Sequence, residues 1–162
     1  MAVETQYGIR GLAKLQEFPP GLAFAGNHGG RVRHVTDRVA AFSNGASIAS
    51  LFYMARIPSA AVMLPLSMVY WGACGSSVTL NIGDATDDDA IATVIDVASA
   101  GSALIMEASG KTPLAAAGQR LWELLGYTAD PKRDIDLIGK IAGAAISTAT
   151  GAFAWSLLYS ND

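Results

Sequence analysis

The stretch Ser76–Ala90, SSVTLNIGDATDDDA, decides how the rest of the chain is read. In its first half Val78, Leu80 and Ile82 alternate with Ser77, Thr79 and Asn81. A period of two is the pattern of a strand with one face buried and one in water. The strand stops at Gly83, and Asp84, Asp87, Asp88 and Asp89 follow at once. Carboxylates at that density are not tolerated in a core without partners, so the whole segment is expected at the surface. A half-buried strand therefore ends in an acidic turn, with further apolar runs on both sides.

On the N-terminal side, Ala60–Trp71 is an apolar run in which Pro65 suggests an edge position or a bulge. Ile48–Ile57 is rich in β-forming and aromatic residues and is closed by Pro58-Ser59. RVRHVTDRVAAF, from Arg31, alternates loosely until the Ser43-Asn44-Gly45 turn signal. On the C-terminal side, Ile91–Val97 reads as a short helical turn or a strand, and Ser102–Glu107 as a weak strand. Leu114–Leu125 carries helix formers, with Thr112 as a cap and Pro113 at the first helical position. Gly118 and the LWELL core suit a strand as well, so both readings stand. After the Ala129-Asp130-Pro131 stop, Ile135–Ala144 places Ile135, Leu137 and Ile141 on one face and Asp136, Ile138 and Lys140 on the other. Thr150-Gly151 turns the chain, and Phe153, Trp155, Leu157 and Tyr159 then form a stripe on one face. These last two segments read as a closing β-hairpin. Six to eight short strands at spacings of roughly 10–15 residues predict a mainly β fold, a jelly-roll-like β-sandwich with room for one short helix.

Residues 1–30 show no sustained period. Tyr7–Glu17 suits a short helix weakened by Gly8 and Gly11, and Pro19-Pro20 forces an extended path. The expected organisation is an extended arm over residues 1–30 and a β-sandwich domain over 31–162. Some 30 extended residues reach on the order of 100 Å. Tyr7, Leu12, Phe18 and Phe24 are the arm's candidate contacts with a neighbour. A disordered tail is the competing reading.

Composition narrows the function. Apolar residues make up 51% of the 162 and charged residues only 15%, so much of the surface suits burial in an assembly. A net charge of −3 gives no reason to expect nucleic acid as a partner. The single cysteine, Cys74, excludes an internal disulfide and reads as a buried thiol. The uncharged run Ile57–Asn81 is long enough to span a bilayer, but its prolines and strand-like end speak against a transmembrane helix. MAVETQYGIR lacks a basic segment followed by an apolar core, so no signal peptide is evident.

The chemistry-bearing residues do not converge. Asp84–Asp89 lacks the D-x-D-x-D-G spacing and distal glutamate of a calcium loop and reads as a solvated turn. His28 and His34 have no cysteine near them to complete a metal site. Gly26–Gly30 lacks the lysine of a phosphate loop. Asp130, Asp134 and Asp136 beside Lys132 and Arg133 read as a solvated charge cluster. His34 can be paired with any serine, and nothing in the spacing favours one. The expectation is a protein that is not an enzyme and carries no cofactor or metal.

Taken in order, RVRHVTDRVAAF, the Ile57-Pro58 step, GSSVTLNIGDATDDDA, LWELLGYTADP and ATGAFAWSLLY resemble the small virion structural proteins of tailed bacteriophages and related gene-transfer particles. The resemblance spans about residues 31–160. It implies a jelly-roll-like sandwich without catalysis, one that decorates or cements the head by binding major capsid protein subunits. It further implies self-association as a homo-oligomer, a dimer or trimer, and a place on the capsid surface after assembly in the host cytoplasm. Nucleic acid and membrane are not expected partners. The apolar run Ile57–Trp71 departs from the family and reads as core or as a subunit interface. Two other classes stay open: a neck, tail-ring or head-fibre-base protein, and a β-barrel lining a ligand pocket with Phe153, Trp155 and Tyr159.

Overall fold

Alternating apolar residues leave each strand with one face that must be covered, and here two antiparallel sheets cover each other. The computed structural model describes residues 31–39, 46–108, 118–147 and 152–161. Along them run β1 (Arg31–Val39), β2 (Leu51–Pro58), β3 (Val62–Met63), β4 (Met68–Trp71), β5 (Thr79–Gly83), β6 (Ala92–Asp96) and β7 (Gly101–Leu104). Two single helical turns follow, α1 (Ile105–Ala108) and α2 (Leu121–Leu124), and then β8 (Asp134–Ala142) and β9 (Phe153–Asn161). One sheet has the order β1-β9-β4-β7, with β3 also paired to β9; the other has the order β2-β8-β5-β6. The pairs β1–β9, β2–β8, β4–β7 and β5–β6 are nested, like a ribbon doubled at the acidic turn and then rolled. That is a jelly roll.

The inner faces are those read from the sequence. Val78, Leu80 and Ile82 are fully buried, and so are Phe153, Trp155 and Leu157, with Tyr159 nearly so. The Phe52 ring stacks on Phe153 at 5.0 Å and on Trp155 at 5.4 Å. Its partner across the ladder is Gly139, where an added Cβ would lie 2.3 Å from the ring. Glycine is required there by close approach. The aromatic stripe thus fills the core. Cys74 is buried as expected, and burial pushes its thiol pKa up.

Several expectations are corrected. β8 and β9 are not a hairpin: β8 pairs with β2 and β5, and β9 with β1, β3 and β4 in the opposite sheet. Both strands present an apolar face to the same core, which their sequences express equally well as a hairpin. The run Ala60–Trp71 is not one strand. Pro65 sits in a turn closed by Ser67 N–H donating to the Leu64 carbonyl at 3.1 Å, and the run is split into β3 and β4. Proline at the second position of such a turn has its φ already set. Ile57, Ala61, Val62, Met63 and Val69 are buried in the core, while Leu66 and Tyr70 of the same run are exposed. Ile91–Val97 resolves to a strand, β6, whereas Ser102–Glu107 divides between β7 and α1. Ile105 and Met106 of α1 are buried, and the turn packs against β6 and β7. The end of Leu114–Leu125 is the helical turn α2, while Leu114 and the cap residues Thr112 and Pro113 lie outside the described residues. Among the described residues no helix is long and apolar enough to cross a membrane.

Candidate interaction surface

The acidic turn was expected wholly at the surface, and its first member corrects that reading. Asp84 is 4% exposed. Its Oδ1 accepts the backbone N–H groups of Thr86 at 2.8 Å and Asp87 at 2.9 Å, and its Oδ2 accepts the Tyr127 hydroxyl at 2.6 Å. Asp84 is thus the pivot on which the turn is wound, and its burial is compensated by donors. Gly83 lets the loop close, because a Cβ there would meet the Asp87 carbonyl at 2.0 Å. Asp88 pairs with Lys140 of β8, and Asp89 accepts the Thr93 hydroxyl at 3.3 Å. The Asp89 carboxyl is held above its ordinary range, chiefly by its hydrogen bond with Asp87. Donors already occupy both Asp84 oxygens, which leaves them poorly placed for a cation. Among the described residues no group of three or more His, Cys, Asp or Glu side chains stands where it would hold a metal ion.

The Asp130 cluster is bound into the fold in the same way. Asp130 accepts the Ser59 hydroxyl at 2.5 Å and the Lys132 N–H at 2.8 Å, and the Ser59 bond is the main reason its carboxyl lies below the usual range. Asp136 makes a two-point bond with Arg56, at 2.7 and 2.8 Å across the β2–β8 ladder. Hydrogen bonding to Arg56 holds the Asp136 carboxyl down and the Arg56 guanidinium up.

The outward face of the β1-β9-β4-β7 sheet is the larger feature. Arg38, Ala154, Tyr70 and Ser102 stand in one row across four strands, and Thr36, Ser156, Met68 and Leu104 in the next. Small residues on the central strand between Arg38 and Tyr70 leave an open groove of about 530 Å³ over Ala154 and Ser156. His34 Nε2 lies 2.8 Å from Ser156 Oγ. Among the described residues no carboxylate is hydrogen-bonded to the ring's other nitrogen, the place of the third group in a nucleophile–base arrangement. Apolar side chains stand out on both sheets, with Val32 61% and Tyr53 68% exposed, beside Leu51 and Tyr70. This distribution fits contact along faces and edges more than a closed pocket.

The arm contacts Tyr7, Leu12, Phe18 and Phe24, and His28, lie outside the described residues. Sequence reasoning missed the β1 edge and the groove, since both depend on which strands become neighbours. The exposed charges of RVRHVTDRV were the available signal.

No protein-family model matches the chain, and no curated protein matches it. Among solved structures, a chain of the cyanophage Pam1 capsid asymmetric unit matches with a TM-score of 0.58 and 19% identity, over 83% of this chain and 88% of that one. At that identity the likeness is one of fold.

Proposed function

We propose that this chain is a phage virion structural protein that decorates or cements the head by binding major capsid protein subunits. The observation that carries the reading is the jelly roll shared, over most of both chains, with a chain of a phage capsid. The ordered motifs between Arg31 and Tyr159 support it independently, as does a surface with few charges and several exposed apolar side chains. In this reading residues 31–162 form the compact domain that sits on the shell and self-associates. Residues 1–30 form an arm that reaches a neighbouring subunit through Tyr7, Leu12, Phe18 and Phe24. No catalysis is involved. The protein acts by adding buried area across joints between shell subunits. A standard interface of about 1,600 Å² offers tens of kcal/mol gross, most of it offset by the cost of association. Many copies in symmetric positions then multiply modest affinities.

The test is co-sedimentation of the purified protein with tailed-phage capsids that lack it, scored as copies per particle. Saturable binding at a fixed ratio to the major shell protein is expected. Binding at a few copies per particle would move the protein to the neck or a fibre base, and no binding would overturn the reading. Deleting residues 1–24 should abolish particle binding and leave the circular dichroism of the domain intact. Normal decoration by the truncated chain would remove the arm from the mechanism.

A further inference from the structure

Sheet edges invite pairing, and natural proteins blunt them with bulges, prolines, short strands or charges. Three of the four terminal strands here are blunted. β2 carries a register shift between Tyr53 and Ala55 and ends in Pro58. β6 lies across a shifted register from β5, with Val94 at a positive φ of 54°, and β7 has only four residues. β1 has no bulge and no proline, and it is not short. It runs unbroken for nine residues against β9, contains no glycine, and among the described residues its other edge has no partner. Seven of its nine residues are exposed.

Charge is its one protection, and the charges are self-complementary. Arg33 and Asp37 oppose Tyr159 and Trp155 on β9 and so share the inward face with them, yet both are exposed on this terminal strand. Among the described residues neither Arg33 nor Asp37 makes an ion pair; Asp37 Oδ1 accepts only the Arg38 N–H. Consider a second copy of the strand running antiparallel about Val35. Arg33 then opposes Asp37 of the second copy, and by symmetry Asp37 opposes its Arg33. Arg31 meets Val39, Val32 meets Arg38, and His34 meets Thr36, so no like charges stand opposite each other. Residues directly opposite in an antiparallel ladder share a face, so the inward face of one copy continues into that of the other. A shift of one residue either way sets arginine against arginine.

We propose that β1 pairs with β1 of a second copy, in the register Val35 to Val35, and joins the two β1-β9-β4-β7 sheets into one. The proposal rests on the self-association proposed for the capsid-bound domain and names its surface. The test is sedimentation velocity of the full chain, as wild type, Arg33→Asp, Asp37→Arg, and an equimolar mixture of the two variants. The wild type should dimerise reversibly. Each variant places like charges opposite at both symmetric positions and should weaken the dimer about tenfold or more. The mixture should form a one-to-one heterodimer, because a copy acidic at both positions complements a copy basic at both. Both side chains are exposed, so the fold should survive, which circular dichroism checks. A wild type that stays monomeric at its highest soluble concentration overturns the pairing, as does an oligomer indifferent to both reversals or a mixture that gains nothing. Capsid binding is scored separately. A monomer that still decorates particles overturns this pairing and leaves the capsid reading standing, while a β1-paired dimer that ignores particles does the reverse.

Discussion

Leu158 of β9 faces the gap between β3 and β4, where the turn at Pro65 interrupts the ladder, and the Ser67 side chain fills in for the missing strand. The fully buried Ser67 hydroxyl donates to the Leu158 carbonyl at 3.1 Å and accepts its N–H at 3.0 Å. A buried donor left unmade costs its desolvation, so Ser67→Ala should lower stability by about 1–3 kcal/mol in urea unfolding. A loss within error would mean that water replaces the hydroxyl. Charged residues set the acid limb of stability. The carboxyls of Asp130 and Asp136 lie below their ordinary range because Ser59 and Arg56 bond their ionised forms. A group whose pKa is depressed on folding stabilises the native state above its unfolded pKa, and that contribution is lost as pH falls through the folded value. Asp89, raised mainly by Asp87, has the opposite sign and weakens the fold as pH climbs past its unfolded value. Stability should therefore fall below about pH 4, and Asp136→Asn should flatten that fall. Because Arg56 and Asp136 are exposed, the difference should shrink in high salt. Urea midpoints across that pH range decide it, and an unchanged slope in the variant would remove the Arg56–Asp136 pair from the acid response.

At the level of elements, the acidic turn and the segment after α2 act as one unit. α2 is too short to persist alone, and its start is tied to the strands: Leu121 N–H donates to the Ala61 carbonyl at 2.7 Å and Trp122 N–H to the Ser59 carbonyl at 3.1 Å. That anchorage carries Tyr127 to Asp84, and Tyr127 also lies 3.3 Å from the Thr86 hydroxyl. Tyr127→Phe should cost about 1.5–3 kcal/mol, the range for a hydrogen bond to a charged group. It should also speed hydrogen exchange at the Thr86 and Asp87 amides, which Asp84 holds, and leave the β1–β9 amides at their wild-type rates. Uniform acceleration across the chain would show instead that the turn has no local stability of its own.

For the whole molecule, the nested pairing sets how the chain must fold. β1 pairs with β9, so strands near opposite ends of the described chain must meet. Loop closure of that length is entropically expensive, and folds dominated by non-local strand pairs refold in milliseconds to seconds. Stopped-flow tryptophan fluorescence should follow this directly, since Trp155 lies in the core beside Phe52. Submillisecond refolding would contradict a transition state that requires the β1–β9 pair. The same topology leaves β1 and β2 at the sheet edges and puts β9 and β8 next to them inside the sheets. An assembly that uses those edges would therefore act on the two strands that the ribbon joins to the core.

The amino-acid sequence by itself determined the local geometry. Alternation at Val78, Leu80 and Ile82, and at Phe153, Trp155, Leu157 and Tyr159, settles both strand and inner face, because side chains on a strand alternate whatever the strand pairs with. Tertiary structure alone decided the partners. An apolar face on β8 fits a hairpin with β9 as well as it fits β2 and β5, and only the filling of a single core by Phe52, Phe153 and Trp155 selects between them. It also decided the fate of Asp84, a carboxylate whose composition alone assigns it to solvent. Asp84 is buried because a hydroxyl 43 residues further along the chain reaches it, and a contact of that range is fixed by the fold and by no local pattern.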